Sequence, residues 1–164
     1  MKQIIYKDKK DFERFFIYIL KEQKNYPSVK LVSYCILPNH FHFIVQATET
    51  GLQISDFMRK IQGSYAMYFK TRYKNETGLI KTPVFEGRFK AKLIDDEPYL
   101  FQCMLYVNYN AQKHQIVNNI ADYPYTSYHQ IIGRQARDII SADDINQDFM
   151  KLDFTQIDLA ELEF

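Results

Sequence analysis

Leu37-Pro38-Asn39-His40-Phe41-His42-Phe43-Ile44-Val45 is the stretch on which the reading of this chain turns. Pro38-Asn39 is turn chemistry: proline presets one backbone angle and asparagine tolerates a tight reversal. Before it, Val29 to Leu37 is rich in apolar and β-branched residues and reads as a strand. After it, His40 to Gln46 returns as a second strand, so the two predict an antiparallel hairpin. Alternate side chains of a strand share a face. His40, His42, Ile44 and Gln46 therefore point one way and Phe41, Phe43 and Val45 the other. The expectation is that the phenylalanines pack under helices. The two imidazoles then stand together on the open face, where they can bind one divalent ion. Two histidines fall short of a closed structural zinc site, and Cys35 and Cys103 lack the spacing to complete one. The same pair also describes plain polar surface, so both readings stand at this point.

Working outward, Asp8 to Lys24 predicts a helix capped by Asp8, with Phe12, Phe15, Phe16, Ile19 and Leu20 as its apolar stripe. Ser55 is placed to cap a second helix reaching about Asn75, with Ile54, Phe57, Met58, Ile61, Tyr65, Tyr68, Phe69 and Tyr73 at helical spacing and Arg59, Lys60, Lys70, Arg72 and Lys74 on its other sides. Val84 to Ile94 reads as a third strand, interrupted at Gly87 by a bulge. Asp95-Asp96-Glu97-Pro98 is a strong helix start, and the third helix runs from about Pro98 to His114. Residues 118–133 read as irregular. This order predicts an α+β fold, an antiparallel sheet covered by helices on one face.

The 164 residues fit one domain with an appendage. Charged residues make up 25% and hydrophobic ones 46%, which excludes a disordered chain. The longest apolar runs fall far short of a bilayer span, and the first residues carry no signal-peptide core. Two cysteines far apart in hydrophobic segments suggest buried thiols in a reducing cytosol. The formal charge of +1 conceals a split. Residues 1–140 hold 20 basic and 13 acidic side chains, whereas residues 141–164 hold Lys151 against seven carboxylates. The expectation is a basic binding body, 1–140, with an acidic tail, 141–164, whose Ile145, Phe149 and Leu152 line a short amphipathic helix. Lying over the basic face, that tail would compete with phosphate.

On the third helix Tyr99, Cys103, Tyr106 and Asn110 fall along one stripe, with Tyr106 and Asn110 one turn apart. Such a stripe commonly means core packing. Tyrosine is a weak nucleophile at its ordinary pKa near 10. It becomes useful when a divalent ion polarises its target, and an amide such as Asn110 can supply an oxygen ligand. Tyr109, in the next turn, is the rival nucleophile. Arg88 and Lys90, alternating with Phe89, would face one side of the third strand toward backbone phosphates. Some of the 13 tyrosines could stack on unpaired bases.

The stretch Leu37 to Val45 resembles the His-hydrophobe-His (HUH) motif of single-tyrosine transposases, most closely their REP-associated branch. Three further segments match in order. Ile54-Ser55-Asp56-Phe57-Met58-Arg59 with Ser64 to Phe69 resembles that family's long helix. Val84-Phe85-Glu86-Gly87-Arg88-Phe89-Lys90 resembles its F-x-G-R-F-K strand. Tyr106-Val107-Asn108-Tyr109-Asn110, followed by Tyr123-Pro124-Tyr125-Thr126-Ser127-Tyr128, resembles its catalytic-tyrosine helix and the segment beyond. The match spans about residues 3–133. Ala111 stands where the family has proline, and Tyr125 where it has tryptophan.

The resemblance implies a ferredoxin-like HUH fold with the motif on a central strand. It also implies metal-dependent cleavage and strand transfer of single-stranded DNA through a 5′-phosphotyrosine, with recognition of a DNA hairpin. His40, His42 and Asn110 would be metal ligands for Mg²⁺ or Mn²⁺, and Tyr106 the nucleophile. Arg88, Lys90, Arg59 and Lys60 would bind DNA. The implied setting is cytoplasmic and nucleoid-associated, without a membrane partner, and it admits a homodimer. The family's first strand, carrying a Y-H-V stretch, would precede Lys2; its place would be filled by the tail, a partner chain or Lys2 to Tyr6. The alternative is an inactive relative, truncated or domesticated, that only binds nucleic acid.

Overall fold

The computed structural model describes residues 3–47, 52–74, 83–133 and 139–140. The acidic segment 141–164 and its expected helix lie outside the described residues. The elements are α1 (Lys9–Asn25), β1 (Val29–Leu37), β2 (His40–Ala47), α2 (Leu52–Arg72), α3 (Glu97–Lys113), a 3₁₀ turn (Ile120–Asp122) and α4 (Tyr128–Ile131). The fold is α+β, with β1 and β2 forming an antiparallel hairpin. The chain divides into two compact units. One comprises Met1–Lys30, Pro38–His40 and Ala47–Ala91; the other comprises Leu31–Leu37, Phe41–Gln46 and Lys92–Phe164.

In the first unit α1 starts where the sequence predicts. Asp8 has extended backbone angles and accepts hydrogen bonds from the N–H groups of Lys10 and Asp11 at 2.9 and 3.2 Å. Those donors have no intrahelical acceptor, so the cap stabilises the helix by ~1 kcal/mol. Phe12, Phe15, Phe16 and Ile19 are buried, whereas Leu20 is largely exposed. α2 begins at Leu52, three residues before the expected cap, so Ser55 lies exposed inside its first turn. Of its expected stripe Phe57, Met58, Ile61, Tyr65, Phe69 and Tyr73 are buried, whereas Ile54 and Tyr68 are half-buried. α1 and α2 share an aromatic centre at Tyr6, whose ring lies 4.9 to 5.2 Å from those of Phe12, Phe15 and Tyr65. The segment before α1 is not a strand. It is pinned by the N–H groups of Ile5 and Tyr6, both donating to the Pro38 carbonyl at 2.8 and 2.9 Å, and by Tyr65, whose hydroxyl donates to the Ile5 carbonyl.

A charged node also holds these two helices. Asp11 is fully buried. Its carboxylate accepts from Tyr68 Oη (3.0 Å), Tyr73 Oη (2.7 Å), the Lys7 N–H (2.8 Å) and the Arg72 guanidinium. Arg72 donates at the same time to Asp8. A buried carboxylate is tolerated because it is both paired and saturated with donors. Burial, helped by the same carboxylate, holds the Tyr73 hydroxyl well above its ordinary pKa.

In the second unit, residues Leu31–Leu37 are buried without interruption, which explains their unbroken apolar run. β1 is flanked on both edges. β2 lies on one side, and on the other the segment around Thr126 bridges Cys35, with Ile36 N–H donating to the Tyr125 carbonyl and Ser127 N–H to the Tyr34 carbonyl, each at 2.9 Å. Among the described residues it is therefore β1, not the histidine strand expected to be central, that has a neighbour along each edge.

The third strand expected over Val84–Ile94 does not form; those residues are irregular. Only Val84 is buried, Leu93 is 80% exposed, and Gly87 adopts a left-handed backbone with φ +73°. Its alternating pattern was a local signal. A strand persists only with a ladder partner, and among the described residues the sheet has two strands.

Candidate active site on the third helix

α3 is built by its N-terminus. Asp96 caps it, its carboxylate accepting the Tyr99 N–H at 2.7 Å, and Pro98 occupies the first turn where no N–H is needed. Its position over β1 is set by one buried asparagine. Asn108 Nδ2 donates to Ser33 Oγ on β1 (3.0 Å) and to the Met104 carbonyl (2.8 Å). Asn108 Oδ1 accepts from Thr126 Oγ1 and Ser127 Oγ, both at 2.8 Å. Every polar atom of the amide is used, so the helix, the strand and the 126–127 segment are tied at one point.

That placement corrects the expected facing of β2. α3 lies on the side of Ser33 and Cys35 on β1 and of His42 on β2. The imidazole of His42 meets the ring of Tyr106 edge-on, with centroids 5.6 Å apart and planes at 83°. Ile44, on the His42 face, is the buried residue of β2. Phe41 and Phe43, whose rings are 4.6 Å apart on the opposite face, are only half-buried. The histidine face is thus covered by α3, which brings Tyr106 to it, and the opposite face of β1, with Val32, Tyr34 and Ile36, is buried as well.

Asn110 completes this group in the second unit. It is fully buried. Its Nδ2 donates to the Tyr106 carbonyl at 2.8 Å, one turn back. This fixes the amide and leaves Oδ1 buried with no hydrogen bond among the described residues. A buried carbonyl oxygen without a donor is costly, and a cation is a partner it can accept. The Nε2 atom of His42 is likewise buried away from solvent. Among the described residues no three His, Cys, Asp or Glu side chains converge. Within the second unit His42 contributes an imidazole and Asn110 an amide oxygen, donor types that suit a divalent ion.

His40 belongs to the first unit. Its Nδ1 is 2.6 Å from Asn39 Oδ1. A histidine whose Nδ1 donates to a neighbouring oxygen keeps its Nε2 lone pair for a ligand. Tyr106 is half-buried whereas Tyr109 is 5% exposed, so Tyr106 is the more accessible of the two tyrosines. The ammonium of Lys113 stands over the Tyr106 ring, 5.1 Å from its centroid. Sequence reading missed Lys113, Asn39 and the tethering role of Asn108. The available signals were Lys113 falling seven positions after Tyr106 on one helix face, and Asn39 directly preceding a histidine.

The expected DNA-binding residues all lie in the first unit. Arg88 and Lys90 are exposed on the irregular segment, so the strand alternation that would have aligned them is absent. Arg59 and Lys60 are exposed on α2, with Arg59 bound by Asp56 at 2.8 Å. Cys35 is fully buried, and burial pushes its thiol up to about 12, which makes it inert. No helix among the described residues is long and apolar enough to cross a membrane.

Residues 2–110 match the family model described as "Transposase IS200 like". The chain belongs to this family of IS200-like transposases. A Haemophilus influenzae protein named as a REP-associated tyrosine transposase is 31% identical over 116 residues, 65% of this chain; the chain spans 62% of that relative's length. Among solved structures, a REP-associated tyrosine transposase bound to a REP hairpin superposes with a TM-score of 0.63 at 21% identity, covering 84% of this chain and 77% of that one. The likeness bears on fold. In this IS200-like transposase the matched residues include the whole hairpin, α2 and all of α3 as far as Asn110.

Proposed function

We propose that this chain cleaves and rejoins single-stranded DNA next to a hairpin, with Tyr106 as nucleophile. The observation that supports the reading is the contact of the His42 and Tyr106 rings, with the buried Oδ1 of Asn110 one helical turn from Tyr106. The solved relative bound to a REP hairpin supports the substrate class. A divalent cation, Mg²⁺ or Mn²⁺, held by His40, His42 and Asn110 would supply Lewis-acid polarisation of the scissile phosphate.

The chain's own residues do the rest. The Tyr106 oxygen attacks phosphorus, the bond to the 3′-oxygen breaks, and the phenolic proton is matched by the one the 3′-hydroxyl gains. The product is a 5′-phosphotyrosine, which keeps the energy of the broken bond for rejoining to another 3′-end. His42, packed against the Tyr106 ring, limits that ring's rotation and so holds the oxygen near its target. Lys113 contributes positive charge beside the phenolic ring as phosphate arrives. Arg59, Lys60, Arg88 and Lys90 are exposed cations available to DNA backbone.

The test is formation of an SDS-resistant adduct between purified protein and hairpin-bearing single-stranded DNA in Mn²⁺. The wild type forms it and Tyr106→Phe does not. No adduct on any hairpin substrate, with binding retained, would make this chain a nucleic-acid-binding relative without cleavage.

A further inference from the structure

Between α1 and α2, wholly within the first unit, the surface opens into a cleft of about 530 Å³. Arg14 and Tyr18 line it from α1; Ser64, Tyr68 and Arg72 line it from α2, and no carboxylate does. Its two arginines are in opposite states. Arg72 is committed to Asp8, Asp11 and the Tyr68 hydroxyl. Arg14 is exposed, with neither hydrogen bond nor ion pair among the described residues. Its guanidinium lies over the Tyr68 ring, 5.3 Å from the centroid. Tyr68 is itself fixed, its hydroxyl donating to Asp11 at 3.0 Å and accepting from Arg72 at 2.8 Å. The ring thus positions the Arg14 cation through its flat face, whereas the N–H groups, which lie in the guanidinium plane, keep their donor capacity. The hydroxyls of Tyr18 and Ser64 likewise make no hydrogen bond among the described residues. A positioned guanidinium sharing a cleft with two hydroxyls and no carboxylate suits an oxyanion.

Resting on the DNA binding proposed above, we infer that this cleft is a phosphate subsite, in which Arg14, with the hydroxyls of Ser64 and Tyr18, holds one backbone phosphate of the hairpin-bearing DNA. The charge around it favours a polymer over a free ion. Lys10, Arg14 and Lys21 fall at i, i+4 and i+11, along one face of α1, and all three are exposed. They spread over ~16 Å of helix axis, which at 3.4 Å per nucleotide is about five nucleotides of one strand. Lys60, one turn before Ser64 on α2, is exposed as well. Phosphate contacts set register and orientation without reading sequence. The subsite therefore positions the substrate and does not choose among hairpins.

The experiment uses the full chain carrying Tyr106→Phe, so that binding is read without cleavage. Affinity for a labelled hairpin with a single-stranded extension is measured by anisotropy over a salt series. Arg14→Ala is expected to weaken binding by about fivefold or more and to lower the salt slope by about one. Arg14→Lys, which keeps the charge, is expected to restore the slope, and Ser64→Ala to give a smaller loss with the slope unchanged. Thermal unfolding of each variant is expected to match the parent, because Arg14 pairs with no carboxylate. A second readout locates the contact. Hairpins carrying one neutral methylphosphonate at each position in turn are compared on the parent and on Arg14→Ala. At one position the substitution is expected to weaken the parent and to cost nothing further in the variant. Unchanged affinity and slope in Arg14→Ala, or losses that add at every position, would overturn the subsite and leave hairpin binding standing. A parent that does not bind the hairpin would overturn both the subsite and the reading on which it rests.

Discussion

The edge of the His42 imidazole lies against the ring of Tyr106, centroids 5.6 Å apart and planes at 83°. Neither ring needs the phenolic oxygen for this contact. Tyr106→Phe should therefore leave stability within about 0.5–1 kcal/mol of wild type while abolishing covalent adduct with DNA. Tyr109 is buried, and Tyr109→Phe should leave the adduct intact. Adduct surviving in the first variant and lost in the second, read on denaturing gels, would transfer the nucleophile's role to Tyr109.

Asn110 and Asn39 should both report on metal. Removing the Oδ1 of Asn110 by substitution to Ala should raise the Mn²⁺ concentration for half-maximal cleavage by more than tenfold. Asn39 acts one bond further out, holding Nδ1 of His40 at 2.6 Å. Asn39→Ala should raise the same midpoint by roughly 10–100-fold, the usual effect of losing a ligand's outer hydrogen-bond partner. A metal titration of each variant, with hairpin affinity measured alongside, separates weakened metal binding from weakened DNA binding.

The Asp11 node makes the first unit sensitive to its arginine. Arg72→Ala leaves a fully buried carboxylate without its counter-charge and should destabilise the protein by about 3–5 kcal/mol in urea unfolding. Asp8 gives the pH signature. Its hydrogen bond from Arg72, opposed by desolvation and helped by the backbone bonds of Asp11 and Lys10, holds its carboxyl below the usual carboxylate value of 3.8. A depressed folded pKa means that the stabilisation is full above the ordinary value. It is lost as pH falls through the lower folded one. Asp8→Asn should flatten that part of the acid-unfolding curve, with a small amplitude because Asp8 is solvent-exposed.

Asn108 should matter for architecture without touching chemistry. Asn108→Ala removes four hydrogen bonds from a buried network, leaving Thr126, Ser127 and Ser33 only their bonds to Tyr34 and to one another. The expected loss is roughly 2–4 kcal/mol, at about 0.5–1.5 kcal/mol for each bond. Thermal unfolding measures it. Cleavage by the folded fraction should persist at temperatures well below the transition.

The sequence by itself determined the hairpin, α1 and α3 almost to the residue. Each is announced by local chemistry: Pro38-Asn39 at the turn, Asp8 and Asp96 at the caps, and apolar periods that match a strand or a helix. It also picked out His40, His42, Tyr106 and Asn110, because their spacings are local properties of one strand and one helix. Three things only the tertiary structure decided. Val84–Ile94 has strand-like alternation but no ladder, since a strand is completed by a partner that its own residues do not encode. What each face of β2 meets is the second. Period two says that His42 and Phe43 oppose one another, but not which of them a helix will cover, and here the tether from Asn108 to Ser33 puts α3 on the histidine side, which is therefore not open. The difference in exposure between Tyr106 and Tyr109 depends on the whole packing around α3. Local periodicity fixes which residues share a face; long-range contacts fix what that face meets.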